Sequence, residues 1–561
     1  MPTHDSPAAH APQPLPDETT TNTEQEATNA RLAGATGILA LGNIASRVLG
    51  LARETVLTFL FGPSAAVDAF QVAIIVPKTL YDLLIGGHVN GAIVPVLTEI
   101  VTLKGREELW RVVSILSSLL VTLLAGLVLL LQAFAPQIVQ LTAGGADEAA
   151  QMLAVDLLRL TSPALLFMGL FAILSGALYA LRSFTYPAFA GVLFNGTIVL
   201  TTMLLAPPLM TLLAPPGASG RAQDGIVAAA IGWLLGALAQ LALQFPGLRG
   251  SRLRFTFNWR HPALRAIALL YVPVMFSLIV DTLIIRPFSY NLASQTGSGS
   301  IAYMNWATTL IQFPQGLVAT AISIAILPML ASQAALISEG RAFKDTLGLG
   351  LRLTTTLILP ATIGLFVLAQ PIVVLLFEHG AFTPDATLVT VQALRLYLIG
   401  LPFAAVDLLL VYAFYARKDT LTPALVGILS LIVYMGVALL LLPEMGLFSL
   451  MIADSIKHIV HAAVSWVLLR RKLEGFGDQR LLITVFKAGA ASAAMGLAAS
   501  LLLPPLSEIF SSGGIFAEAV LVLLSGGAAS LVFLGTAYAL RVDELRWILK
   551  LLRQRLGRRA R

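Results

Sequence analysis

Ionisable side chains buried in long apolar stretches are the first chemistry this sequence offers. Arg47, Arg53, Asp68, Lys78, Asp82 and His88 lie in two such stretches near the start of the chain. Asp281, Arg286, Arg395, Asp407, Asp454, Lys457, His458 and His461 lie in others further on. A charge at the centre of a bilayer costs at least ~2.5–3.5 kcal/mol on insertion scales, so such residues face a partner or a water-filled cavity. Arg47 and Arg53 are six residues apart, a rotation of ~600°, and do not stack on one helix face. One can face a cavity while the other pairs with Glu54 or Asp68. Lys78 with Asp82, and Asp454 with Lys457 or His458, have the spacing of same-face pairs. Any one of these charges could be a structural pair or sit near a helix end. Taken together, the early group points to a hydrated cavity rich in cations. Such a cavity attracts an anionic group, and a guanidinium binds phosphate bidentately.

Other chemistry finds little support. The chain has no cysteine, which excludes disulfides, thiolate metal sites and cysteine nucleophiles. Its seven histidines show no metal-ligand spacing such as HExxH. Gly297-Ser298-Gly299 and Gly526-Gly527 lack the ending of a phosphate-binding P-loop, and no nucleophile elbow is present. Neither an enzyme nor a metal or organic cofactor is expected. The formal charge of +6 is not a nucleic-acid signal, because the basic residues collect at the ends of apolar segments.

Those segments must position the charges. The 561 residues are 57% hydrophobic and only 12% charged, about half the charge of a soluble domain, with a mean hydropathy of +0.84. A spanning helix needs ~20 mainly apolar residues. Runs of that kind fall near 33–61, 65–98, 109–134, 150–181, 185–207, 225–246, 264–293, 300–336, 346–377, 385–416, 421–442, 446–469, 482–504 and 516–540. This predicts an all-α polytopic membrane protein of about fourteen helices. Alternate connections carry the basic residues, among them Arg106, Arg111, Arg182, Arg252, Arg254, Lys344, Lys418 and Arg470–Lys472. The opposite connections carry Asp147, Asp224, Glu378, Asp385 and Glu444. By the positive-inside rule both termini are expected in the cytoplasm. Tyr179-Ala180-Leu181-Arg182 leading to Pro187 and Gly191 recurs as Tyr415-Ala416-Arg417-Lys418 leading to Pro423 and Gly427. Two further echoes share nearly the same offset: Ile93–Leu97 with Ile326–Leu330, and Ala135/Ile138 with Ala369/Ile372. An offset of six helices predicts two parallel lobes about a pseudo-twofold axis, as in secondary transporters. The expected organisation is a disordered polar tail over 1–31, an N-lobe over 32–247 and a C-lobe over 248–473. Two extra helices follow over 474–541, then a basic tail over 542–561.

Several segments then resemble the MurJ/MviN family of the MOP transporter superfamily. They are Ser46-Arg47-Val48-Leu49-Gly50 with Arg53, Phe61-Gly62 and Asp68-Ala69-Phe70; Gly91–Pro95; and Phe313-Pro314-Gln315-Gly316. Further on come Phe377-Glu378-His379-Gly380-Ala381-Phe382-Thr383 and Phe414–Pro423. The resemblance implies a flippase of the bacterial inner membrane that moves lipid II, an undecaprenyl-pyrophosphate-linked peptidoglycan precursor, by alternating access. It implies cavity residues Arg47, Arg53 and Asp68, to which Lys78 and Arg286 are added as candidate substrate-binding cations. It also implies a groove for the prenyl tail on the last two helices. Membrane potential or a Na⁺ or H⁺ gradient is the expected driving force, with Asp281, Asp407 and Asp454 as candidate ion ligands. Membrane lipids and proteins of cell-wall synthesis are the expected partners. The chain departs from the family pattern where Tyr81-Asp82 replaces an arginine pair, Thr308-Thr309 replaces an Asp-Arg pair and Gly86 replaces a glutamate. A flippase for another polyprenyl-linked glycan, a multidrug antiporter of the same superfamily and a non-transporting scaffold therefore stay open as alternatives.

Overall fold

The computed structural model describes residues 18–84, 93–212, 222–257, 259–265, 267, 284–335, 340–476, 479–510 and 514–546. The N-lobe contains α1 (Glu18–Phe61), α2 (Ala65–Leu84), α3 (Val94–Ala133), α4 (Ala135–Ala143), α5 (Glu148–Thr161), α6 (Ala164–Ala180), α7 (Thr185–Leu212) and α8 (Val227–Ala242). The C-lobe contains α9 (Arg286–Ser294), α10 (Ser300–Pro314), α11 (Ala321–Ala335), α12 (Gly340–Val367), α13 (Ala369–Phe377), α14 (Pro384–Ala416), α15 (Leu421–Met445) and α16 (Phe448–Lys472). The chain ends in α17 (Leu481–Phe510) and α18 (Gly514–Ala539). Eleven described helical segments are long and apolar enough to cross a membrane. Two expected spans, α1 and α2, fall outside that group; they are the ones that carry Arg47, Arg53 and Glu54, or Asp68, Lys78 and Asp82. The seventh lies partly beyond the described residues.

One boundary differs from the sequence reading. The first helix starts at Glu18, well inside the segment expected to be a tail. Pro16 is the last proline in that segment, and no proline or glycine interrupts the chain from there until Gly34. Residues 1–17 and 547–561 lie outside the described part, as do Gly86, His88 and Asp281.

The internal repeat reaches the level of single dihedral angles. Arg182 and Lys418, 236 positions apart, both adopt left-handed φ values, 59° and 60°. At each, two backbone N–H groups close the preceding helix: Arg182 to Tyr179 O and Ser183 to Leu178 O, then Lys418 to Tyr415 O and Asp419 to Phe414 O. These are left-handed helix caps of the Schellman kind. Asp147 and Thr383, also 236 apart, each use a side-chain oxygen to cap the next helix, at Ala150 N and Ala386 N. Phe134 and Leu368 interrupt their helices at corresponding points, with φ,ψ of −102°,14° and −85°,10°. Asp419 also ties its turn to α16, accepting from Thr422 N, Thr422 Oγ1 and Lys472 Nζ. Partial burial opposes ionisation of Asp419, but these hydrogen bonds outweigh it and hold the carboxyl below its ordinary value.

The lobes share an apolar core on one side of the molecule and have separate cores on the other. The shared cluster joins Phe61, Phe70 and Ala143 to Tyr290, Trp306, Phe377 and Phe382, beside the acidic connections. On the basic side, Leu97, Trp110 and Leu178 belong to an N-lobe cluster, whereas Phe343, Phe414 and Leu469 belong to a C-lobe cluster. The acidic side is sealed by close backbone contacts. Gly62 packs against Ala381 O and Gly380 against Phe59 O, with Ala381 N donating to Phe59 O at 2.8 Å. A side chain at either glycine would strike a carbonyl, and both have left-handed φ. Helices α17 and α18 pack on each other, α17 on α12 and α18 chiefly on α13, outside the repeat.

Candidate functional site

Between the lobes lies a cavity of about 460 Å³ walled by α1, α2, α8, α9, α10, α14, α15 and α16. Its cations come from both lobes: Arg47, Arg53 and Lys78 from the first, Arg286 and Lys457 from the second. The two carboxylates on its wall are Glu54 and Asp454, and each is already engaged. Arg53 donates to Glu54 Oε1 at 2.6 Å and to Asn195 Oδ1 at 3.1 Å, with its guanidinium 5.9 Å from the Trp233 ring centroid. Lys457 donates to Asp454 Oδ1 at 2.5 Å, and His458 Nε2 stands 3.7 Å from Asp454 Oδ2. Among the described residues, no carboxylate comes within salt-bridge distance of Arg47, Lys78 or Arg286. Arg47 reaches across to the other lobe and donates to Gln312 O at 3.3 Å. The cavity therefore presents three cations without a salt-bridge partner on a polar wall completed by Asn305, Gln312, Tyr397 and Tyr434, while Asp82 acts electrostatically on Lys78 and Arg286 from outside that wall.

Local structure explains how these groups stay in place. The wall of α9 is fixed by a hydrogen bond between Ser289 Oγ and Tyr434 Oη at 2.7 Å, and Tyr290 Oη donates to Asn305 Oδ1 at 3.0 Å. Thr308 and Thr309 face the cavity, but their hydroxyls donate back to Met304 O and Asn305 O within their own helix. They are neutral lining and add no charge. The helix widens directly after Pro314, where residues 315–320 form a π-helical turn.

Five of the eight candidate site residues meet in this cavity: Arg47, Arg53, Lys78, Arg286 and Asp454. Asp68 does not line it. Its carboxylate accepts from Gly299 N at 2.7 Å and Ala302 N at 2.8 Å. It thus caps the N-terminus of α10 across the lobe boundary, on the sealed side. The carboxylate fills the four-donor vacancy of a helix start, which is why a charged residue is tolerated there. Asp407 also lies away from the cavity, with its Oδ1 2.5 Å from His461 Nδ1. Asp281 is outside the described residues. Lys78 and Asp82 share a helix face by spacing, yet no salt bridge joins them among the described residues, and Asp82 is not on the cavity wall. Sequence reasoning missed Asn195, Trp233, Asn305 and Tyr434. The available signal was a polar or indole group on an otherwise apolar helix, which marks a wet or packed face without saying which.

A model of the family described as lipid II flippase MurJ matches residues 57–523. The chain belongs to that family. The lipid II flippase MurJ of Burkholderia cenocepacia is 30% identical over 437 residues, covering 76% of this chain and 81% of that one. The probable lipid II flippase MurJ of Vibrio cholerae is 32% identical over 407 residues, 70% of this chain and 74% of the relative. Among solved structures, a lipid II flippase MurJ in an inward closed conformation aligns with a TM-score of 0.71 and 23% identity, over 90% of this chain and 99% of that one. An inward-facing multidrug resistance MATE transporter of the MOP superfamily aligns with a TM-score of 0.59 and 18% identity, over 77% and 95% of the two chains. At those identities the structural matches establish a shared fold, that of an all-α polytopic membrane protein.

Proposed function

We propose that this MurJ-family chain is a flippase that carries lipid II across the bacterial inner membrane by alternating access. The observation that carries this reading is the convergence of Arg47, Lys78 and Arg286, from two lobes and without salt-bridge partners among the described residues, in one cavity. A pyrophosphate linked to a sugar offers the dianionic, multidentate acceptor that such a set matches. A cation-exporting multidrug antiporter would need the opposite balance. The positive-inside rule puts the basic connections, and both termini, in the cytoplasm. The side on which the lobes have separate cores then faces the head group's source. The prenyl chain stays in lipid and follows an apolar groove of about 360 Å³ between α12, α17 and α18, lined by Pro360, Gly364, Leu368, Met495 and Phe533.

Conditional complementation of a strain depleted of its own lipid II flippase tests the reading, with membrane levels of the protein measured alongside. The unsubstituted chain restores growth. Arg47→Ala, Lys78→Ala and Arg286→Ala each reduce rescue at normal protein level. Failure of the unsubstituted chain despite correct insertion would instead support a different polyprenyl-linked glycan, the reading favoured by the neutral Thr308-Thr309.

The driving ion in this proposal is a proton. Asp454 is occupied by Lys457, and Asp407 by His461, so neither offers an open oxygen shell to Na⁺. The imidazole–carboxylate contact between α14 and α16 is instead a place where a proton changes the interaction between two helices. Transport into proteoliposomes should respond to an imposed proton gradient and not to a Na⁺ gradient. His461→Gln and Asp407→Asn should weaken that response. A response unchanged by both substitutions, or transport set by Na⁺, would overturn the assignment.

A further inference from the structure

A second cationic cavity, sharing no lining residue with the first, lies where the two lobes are joined. After Gly250, with φ of +83°, residues 251–257 run extended along α3. Arg254 N donates to Ser114 Oγ at 3.1 Å and Thr256 N to Ser118 Oγ at 2.9 Å. The spacing is two along the extended segment and four along the helix, so a single helix face holds the segment. Each serine hydroxyl also donates to its own helix, at Trp110 O and Ser114 O, and no hydrogen-bonding capacity is wasted at the clamp.

This clamp sorts the side chains by parity. Arg252, Arg254 and Thr256 line a cavity of about 870 Å³ together with Arg106, Arg111 and Arg249, five arginines against the one carboxylate of Glu107. The alternate residues Leu253, Phe255 and Phe257 are 37%, 60% and 71% exposed. The two phenylalanines pack edge to face with centroids 5.0 Å apart. Glu108 is spent on Arg111 at 2.9 Å and His261 at 3.1 Å. Among the described residues, no salt bridge engages Arg106, Arg249, Arg252 or Arg254. Basic residues whose only task is to orient the chain in the membrane need not converge. These are held by a clamped backbone around one space.

We propose that this cavity binds the head group of an anionic phospholipid, with Leu253, Phe255 and Phe257 set among its acyl chains. A row of guanidinium groups beside a row of exposed aromatic side chains matches a phosphate beside hydrocarbon, the order found at a bilayer interface. A soluble phosphate compound would satisfy the arginines and leave the aromatic row in water. The bound lipid would be a resident of the membrane, not the molecule carried through the central cavity. The proposal does not depend on the nature of the transported head group.

The test uses the purified full-length chain in nanodiscs, with phosphatidylglycerol and phosphatidylcholine as probes and lipid retention read by native mass spectrometry. The unsubstituted protein is expected to retain phosphatidylglycerol in preference to phosphatidylcholine by roughly tenfold or more. Arg252→Gln/Arg254→Gln should remove that preference, and Phe255→Ser/Phe257→Ser should weaken retention while the protein remains folded by thermal melt. Inorganic phosphate at millimolar concentration should not compete. Equal retention of the two lipids, or a preference untouched by the arginine pair, would overturn the proposal. So would displacement by inorganic phosphate, which would assign the cavity to a soluble anion. Transport is not the readout, so failure here leaves the flippase reading standing.

Discussion

Arg53 shows how much a single charge in this cavity does besides meeting a substrate. Its guanidinium holds Glu54, whose side chain is only 5% exposed, at 2.6 Å, binds Asn195 and stands near Trp233. Truncating one partner of a buried pair leaves the other charge uncompensated, which typically costs about 3–5 kcal/mol. Arg53→Ala should therefore lower the melting temperature as well as transport. Arg53→Ala/Glu54→Gln should recover most of the stability and remain defective in transport. A single Arg53→Ala variant as stable as the parent would show that the pair is not a structural one. This dual role explains what was readable at the residue scale. A charge in an apolar stretch announces that it needs a partner or water, and Arg47, Arg53, Lys78 and Arg286 were found that way. Which of the two it has depends on neighbours hundreds of residues distant. Asp68 and Asp407 proved to have partners, on α10 and α16, that spacing along one helix could not reveal.

At the scale of elements, the repeat was legible because its echoes are cap and turn residues, whose identity is set by backbone geometry. Arg182 and Lys418 recur because both end a helix in the same left-handed turn. Asp419 and Thr422 fasten that turn to Lys472. The seal between the lobes was not legible. It rests on backbone approach at Gly62 and Gly380 and on a side chain capping a helix in the other lobe. That cap makes a definite prediction. Removing an N-cap acceptor costs about 1 kcal/mol, within a range of roughly 0.5–2. Here the loss falls only on the conformation in which the lobes touch on that side. Asp68→Ala should shift the population toward the opposite opening by roughly fivefold or more. The chain has no cysteine, so Ile301→Cys, at a fully buried position on the seal, supplies a unique reporter. Its labelling from outside by an impermeant maleimide should rise by that factor in the Asp68→Ala background. An unchanged labelling rate would mean that the cap does not hold the seal.

On the scale of the whole molecule, the head-group cavity and the last two helices perform separable tasks. The cavity is built from the two repeated lobes, whereas α17 and α18 lie outside the repeat; α17 packs on α12 and α18 chiefly on α13, and the groove runs between α12, α17 and α18. The groove exists because small residues stand where larger ones would close it. A Cβ at Gly364 would come no nearer than 3.4 Å to Met495, and one at Gly526 no nearer than 3.4 Å to Leu368, which is ordinary contact. Alanine is therefore expected to be tolerated at Gly364. A leucine there adds three further carbons directed into the space between α12 and α17. If the groove holds the prenyl tail, Gly364→Leu should reduce transport of a substrate with a full-length chain severalfold. Binding of an analogue with the same head group and a short prenyl chain should be unchanged, because that analogue needs only Arg47, Lys78 and Arg286. Equal loss for both substrates would mean that the leucine disturbs the lobes themselves. Equal activity for both would mean that the tail travels elsewhere, and the two extra helices would then need another purpose.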